Sequence, residues 1–308
     1  MPQAVTVLKP LRTLTVACGF LAACAVQPPA SPPSAGEAAV IEANRRADAY
    51  FRGGNLESAA RYYREAIRLA QSVEDADGIA ANAISLSIVY QRLGKHADAR
   101  ASLAPVLEQN RLNFSPDRLA QAALRRSVLD LDERRLAGAD EWIDRAASHC
   151  AQRGCALAGA IHNVKGQLAL EAGRLDAAAA SARAALSASR SSGERAEAGN
   201  ALRLLGVTAI RAGDAAAASG FLGEALAIDR ELGVPRKIYL DLIGLGRASA
   251  LRGDRGAARS FYERALVVSE ADRDSKGAAE ARSLIDSLAD KSGSHQTQPA
   301  GTDSHAGQ

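Results

Sequence analysis

A motif that returns every forty residues leaves a chain few folds, because each copy must be one structural unit that stacks on the next. The returning element here is a short turn. It is written Gly53-Gly54-Asn55-Leu56, Leu93-Gly94-Lys95-His96, Ala172-Gly173-Arg174-Leu175, Ala212-Gly213-Asp214-Ala215 and Arg252-Gly253-Asp254-Arg255. Gly54, Gly94, Gly173, Gly213 and Gly253 are spaced by 40, 79, 40 and 40 residues, and the double step places a sixth copy at Arg134-Arg135-Leu136-Ala137-Gly138-Ala139. Five residues beyond each turn position stand Ala59, Ala99, Ala139, Ala178, Ala218 and Ala258. Large residues follow at Tyr63, Leu103, Ile143, Leu222 and Tyr262, with Ala182 in the fourth copy, and small ones precede the turn at Ala47, Ser87, Ser127, Gly166, Gly206 and Gly246.

Composition says what kind of unit repeats. Of 308 residues 68 are alanine, while aromatic residues make up only 4%. Strands favour aromatic and β-branched residues, so the balance points to helices packed closely through small side chains. At 47% hydrophobic the chain has enough apolar material for a folded body. Lys and Arg total 38 against 35 Asp and Glu, spread along the chain, which gives no basic face for nucleic acid.

The small–large–small spacing resembles the tetratricopeptide repeat, whose helices A and B form an antiparallel pair, here in a long form of about forty residues similar to that of kinesin light chain. The resemblance implies an all-α fold: a right-handed α-solenoid of six helix-turn-helix repeats over 37–290, with Asp272 to Asp290 as a thirteenth, capping helix. Each hairpin leaves an apolar face that only its neighbour covers. Arg134 in place of glycine, Lys165 in place of a core leucine and the alanine-rich start of helix B in repeat four predict looser packing in repeats three and four.

The first residues read as an address. Residues 1–23 hold Lys9 and Arg12, then the apolar Thr13 to Ala23, and no acid. That is a secretory signal, too short for a permanent membrane span. Leu21-Ala22-Ala23-Cys24 resembles the bacterial lipobox, which implies cleavage before Cys24 and acylation of its thiol. Ala25, where inner-membrane retention favours Asp, points to the outer membrane, facing the periplasm. Residues 24–36 include Gln27-Pro28-Pro29-Ala30-Ser31-Pro32-Pro33, an extended tether. Residues 291–308, with few apolar side chains, are expected to be a disordered tail.

In such a compartment the pair Cys150 and Cys155, at the junction of repeats three and four, is expected to form a disulfide. His149 and His162 flank it and raise the alternative of a metal-dependent factor, but no CxxC or HxxxH spacing supports zinc and no cofactor is expected. No GxxxxGK, HExxH or GxSxG motif occurs, so no enzymatic activity is expected.

The resemblance places helices A on a concave surface. The matching positions are Asn44, Asp48 and Arg52 in repeat one; Gln91 and Arg92 in repeat two; Asp132 in repeat three; Asn163, Gln167 and Glu171 in repeat four; Asn200, Arg203 and Arg211 in repeat five; and Arg247 in repeat six. Amide and guanidinium groups can hold an extended peptide or cap a helix. The expected function is a membrane-anchored, non-catalytic adaptor for protein partners of the cell envelope, with a pilotin-like chaperone for a secretin or pilus subunit as the alternative.

Overall fold

The computed structural model describes residues 33–108, 112–151 and 155–293. The signal segment 1–23, Cys24, most of the 24–36 tether and the tail beyond 293 lie outside the described residues. All regular secondary structure among the described residues is helical. Repeat one is α1 (Ala35–Arg52) and α2 (Leu56–Ser72); repeat two is α3 (Ala76–Arg92) with α4 (His96–Ala101) and α5 (Ala104–Leu107). Repeats three and four are α6 (Pro116–Asp132) with α7 (Leu136–Cys150), and α8 (Ala158–Glu171) with α9 (Leu175–Ser192). Repeats five and six are α10 (Arg195–Arg211) with α11 (Ala215–Leu232), and α12 (Pro235–Leu251) with α13 (Arg255–Ala271); α14 (Ser275–Gly293) closes the stack. No described helix is long and apolar enough to cross a membrane.

The helix starts are written locally. Ser34 accepts from the Glu37 amide while the Glu37 carboxylate accepts from the Ser34 amide, a reciprocal cap that starts α1 at Ala35, just inside the expected tether. Asn55, Asp75, Ser115, Asp214 and Asp254 cap α2, α3, α6, α11 and α13 in the simpler way, each accepting from an amide three residues on. Between A and B the chain reverses through one residue with positive φ. Glycine takes that conformation in five repeats, and Arg134 takes it in the third at φ 57°. A side chain there costs about 1 kcal/mol or more, so repeat three keeps its turn at the expense of local strain.

The alternation of small and large residues closes each hairpin. Ala59, Ala99, Ala139, Ala178, Ala218 and Ala258 are all wholly buried against helix A. In repeat three the Ser127 hydroxyl donates to the Ala139 carbonyl oxygen at 2.7 Å, which measures how near the two backbones come. The predicted looseness of repeat four is not found at its helix pair. Ala178, Ala182 and Ala185 are fully enclosed, because alanine lets neighbours move in and leaves no void. Leu204 of α10 fills the space, and a β-carbon added to Gly166 would stand 2.6 Å from its Cδ2. Lys165 turns outward, its ammonium donating to Asp144 of α7 at 2.8 Å.

The irregularity falls in repeat two instead. Pro105 has no amide hydrogen, and its ring clashes with the carbonyl four residues back, at Ala101. Helix B therefore breaks between α4 and α5, bridged by tighter bonds such as Leu103 N–H to Arg100 O at 3.1 Å. Leu103 and Val106 still reach the core.

Candidate binding cleft on the helix A face

Successive A helices lie side by side, and their shared face holds a cleft of about 590 Å³ between α6, α8 and α10, touching Leu240 of α12. The forty-residue period sets which positions face it: those three before, one after and four or five after the small residue of helix A. In α6 these are Leu124, Val128 and Leu131; in α8, Asn163, Gln167, Leu170 and Glu171; in α10, Arg203, Val207 and Arg211. One wall is therefore apolar and the other carries amides and charges, a composition suited to an amphipathic segment.

Of the thirteen residues expected to contact a partner, the structure brings six together here: Asn163, Gln167, Glu171, Asn200, Arg203 and Arg211. The others lie elsewhere on the stack, and most are engaged internally. The Asn44 amide donates to Asn82 at 2.7 Å, Asp48 accepts from the Tyr63 hydroxyl, and Arg247 donates to Glu280 at 2.9 Å. Gln91 links Arg125 to Asp132, and the Arg92 guanidinium lies 4.9 Å from the centre of the Phe51 ring. Arg52 is exposed. The apolar wall of Leu124, Val128 and Leu131 escaped the sequence reading, which looked only for polar groups. The signal was present, since Val128 and Val207 occupy the same repeat position as Asp48, Gln167 and Arg247.

Arg203 is the most constrained of the six. Expected as a free groove contact, it is only 13% exposed and is gripped from below. Its Nε donates to Asp241 of α12 at 2.7 Å, its Nη2 to Asp229 of α11, and its Nη1 to the Asn200 oxygen at 3.1 Å. Both aspartates are fully buried. Burial, opposed by Arg203 and reinforced by Asp229, pushes the Asp241 carboxyl up to about 7. Two carboxylates share one guanidinium, so the three form a structural knot beneath the cleft floor. Arg211 is also tied to the frame, donating to the Leu170 carbonyl oxygen at 2.7 Å and lying 3.7 Å from Glu171.

At the junction of repeats three and four a second hollow of about 610 Å³ is lined by Cys150, Cys155, His162, Lys165 and Ser191, among others. The α-carbons of Cys150 and Cys155 lie 5.3 Å apart, within disulfide range, and the sulfurs are joined. Joined sulfurs are not thiolate ligands. Burial, with Arg145 beside His149 and Lys165 beside His162, holds both imidazoles below their usual value, in the neutral form at neutral pH. Among the described residues no three His, Cys, Asp or Glu side chains are grouped to hold a metal ion.

Residues 37–111, the first two hairpins, match the family model of the tetratricopeptide repeat. Comparison with curated proteins finds no match. Among solved structures the chain is similar to BtubC (BKLC) from P. vanneervenii, with 21% identity and a TM-score of 0.53 over 78% of this chain and 93% of that one. It is also similar to a Rap protein complexed with Competence and Sporulation Factor, with 13% identity and a TM-score of 0.60 over 84% and 73%. A third is the signal-transduction ATPase PH0952 from Pyrococcus horikoshii, which has a tetratricopeptide repeat sensor. There the identity is 14% and the TM-score 0.60, over 82% of this chain and 38% of that protein. Residues 37–111 thus match the tetratricopeptide repeat, and the same hairpin recurs from α1 to α13, which gives the whole stack the fold of a tetratricopeptide-type α-solenoid.

Proposed function

We propose that this protein is a non-catalytic adaptor of the bacterial cell envelope, anchored by lipid on Cys24, that holds a helical or extended segment of a protein partner in the cleft between α6, α8 and α10. The observation that carries the reading is the two-sided cleft. Leu124, Val128, Leu131 and Val207 leave apolar surface partly open to solvent, and Leu240 is 38% exposed, although a solenoid of this length has ample core in which to bury such residues. Exposed apolar surface rimmed by amides marks a protein contact. The lipobox at Leu21 to Cys24 and the proline-rich stretch after it support the anchor, and the Cys150–Cys155 bridge suits an oxidising compartment.

Two measurements test this reading. A photo-crosslinker at Val128 should capture a protein partner, and Val207→Glu, which places a carboxylate in the apolar wall, should abolish that capture while the melting curve stays unchanged; capture that survives Val207→Glu refutes the cleft. Cys24→Ser should lose metabolically incorporated acyl chains and leave the membrane fraction, and acylation that persists refutes the anchor.

A further inference from the structure

The charges around the cleft do not balance. Arg203 is saturated by Asp229 and Asp241, and Arg211 is spent on the Leu170 carbonyl and Glu171. Glu171 in turn has Arg211 and Arg134, each at 3.7 Å. Glu197, the remaining carboxylate on the lining, has no Lys, Arg or His within ion-pair distance among the described residues. Two amides hold it: Asn163 Nδ2 donates at 2.8 Å and Asn200 Nδ2 at 3.2 Å, both to Oε2.

The neighbouring Asn163 is fixed in orientation. Asn163 Nδ2 also donates to the Glu197 carbonyl oxygen at 3.0 Å, and since both of its partners are acceptors, the amide cannot be turned round. Its Oδ1 is left without a hydrogen-bond partner. A carboxylate held by amides alone, with no counter-charge, therefore stands at one end of a cleft whose α6 wall is apolar. Glu197 lies in the first turn of α10, where the helix terminus supplies about half a positive charge. That explains an acid at this position, but not why Asn163 reaches across from α8 to hold it over the cleft.

We infer that Glu197, held in place by Asn163 and Asn200, forms a cation-accepting notch, so that the segment bound in the cleft is a basic amphipathic one, placing a Lys or Arg on Glu197 and apolar side chains against Leu124, Val128 and Leu131. A single ammonium or guanidinium set on the Glu197 carboxylate supplies the missing counter-charge through charge-assisted hydrogen bonds. This rests on the cleft being the binding site.

The test pans a display library of random peptides against the full chain and against its Glu197→Gln, Glu197→Lys and Val128→Glu variants, each checked for unchanged helicity and melting. Binders of the parent protein that are lost on Val128→Glu should be enriched in Lys or Arg beside apolar residues, and should weaken by about tenfold on Glu197→Gln. Glu197→Lys should select Asp or Glu in their place. Val128-dependent binders that carry no basic enrichment, or that bind Glu197→Gln unchanged, overturn the notch and leave the cleft standing. Binders indifferent to both positions, or a library with no binder, overturn the cleft and the notch together.

Discussion

Replacing Arg203 with methionine should be among the most costly single changes in the stack, and the size of the loss should depend on pH. The substitution keeps most of the packing and removes the guanidinium from Asp229 and Asp241, neither of which has any exposed surface. Breaking a buried pair from one side costs about 3–5 kcal/mol, a large share of the roughly 5–15 kcal/mol that holds a domain folded. Asp241 sets the pH dependence. Its carboxyl is raised from the usual 3.8 to about 7, so the folded state keeps a proton that the unfolded state has released. The stability this group confers is full below about pH 4 and drains away as pH rises to about 7, at about 1.4 kcal/mol per unit. From about pH 5 to pH 8 the parent protein should lose roughly 2–3 kcal/mol from this source. Arg203→Met removes the one neighbour that lowers the carboxyl, so its loss should be greater at about pH 8 than at about pH 5. Asp229→Asn removes the neighbour that raises it and should flatten the slope. Urea unfolding followed by far-ultraviolet circular dichroism at both pH values, on all three proteins, measures these terms. Equal losses for Arg203→Met at the two pH values, or an unaltered slope in Asp229→Asn, would refute the account.

Three further outcomes follow from the geometry. Arg134→Gly relieves a left-handed side chain and gives up only a 3.7 Å surface pair with Glu171, so it should raise stability by about 0.5–1 kcal/mol in a thermal melt; a fall would mean the turn is not strained. Gly166→Ala brings a β-carbon to 2.6 Å from Leu204 and 3.3 Å from the Ala178 carbonyl oxygen, and should cost about 1–3 kcal/mol; a neutral result would show that α8 and α9 are less tightly packed than described. Cys150→Ser opens a loop whose ends are five residues apart, and the loss on unfolding should be near 2 kcal/mol, whereas none would mean the cysteines are not paired in the folded protein.

The sequence by itself determined the architecture. A period of forty, carried by alanine at one helical position and by a left-handed residue at each turn, is a local signal that each copy states afresh, and six copies leave little freedom. It also marked which residues share the helix A face, because helical periodicity places equivalent residues on equivalent surfaces. What it did not determine is which of those residues are free. Arg203 reads as a groove contact until Asp229 and Asp241 arrive from 26 and 38 residues away. Glu197 reads as an ordinary first-turn acid until α8 sets Asn163 beside it. The break at Pro105 is local, yet its harmlessness is tertiary, since Leu103 and Val106 reach the core in spite of it. Backbone pattern repeats along the chain and can be read from it, whereas the pairing of a charge depends on stacking distances that only the assembled solenoid supplies.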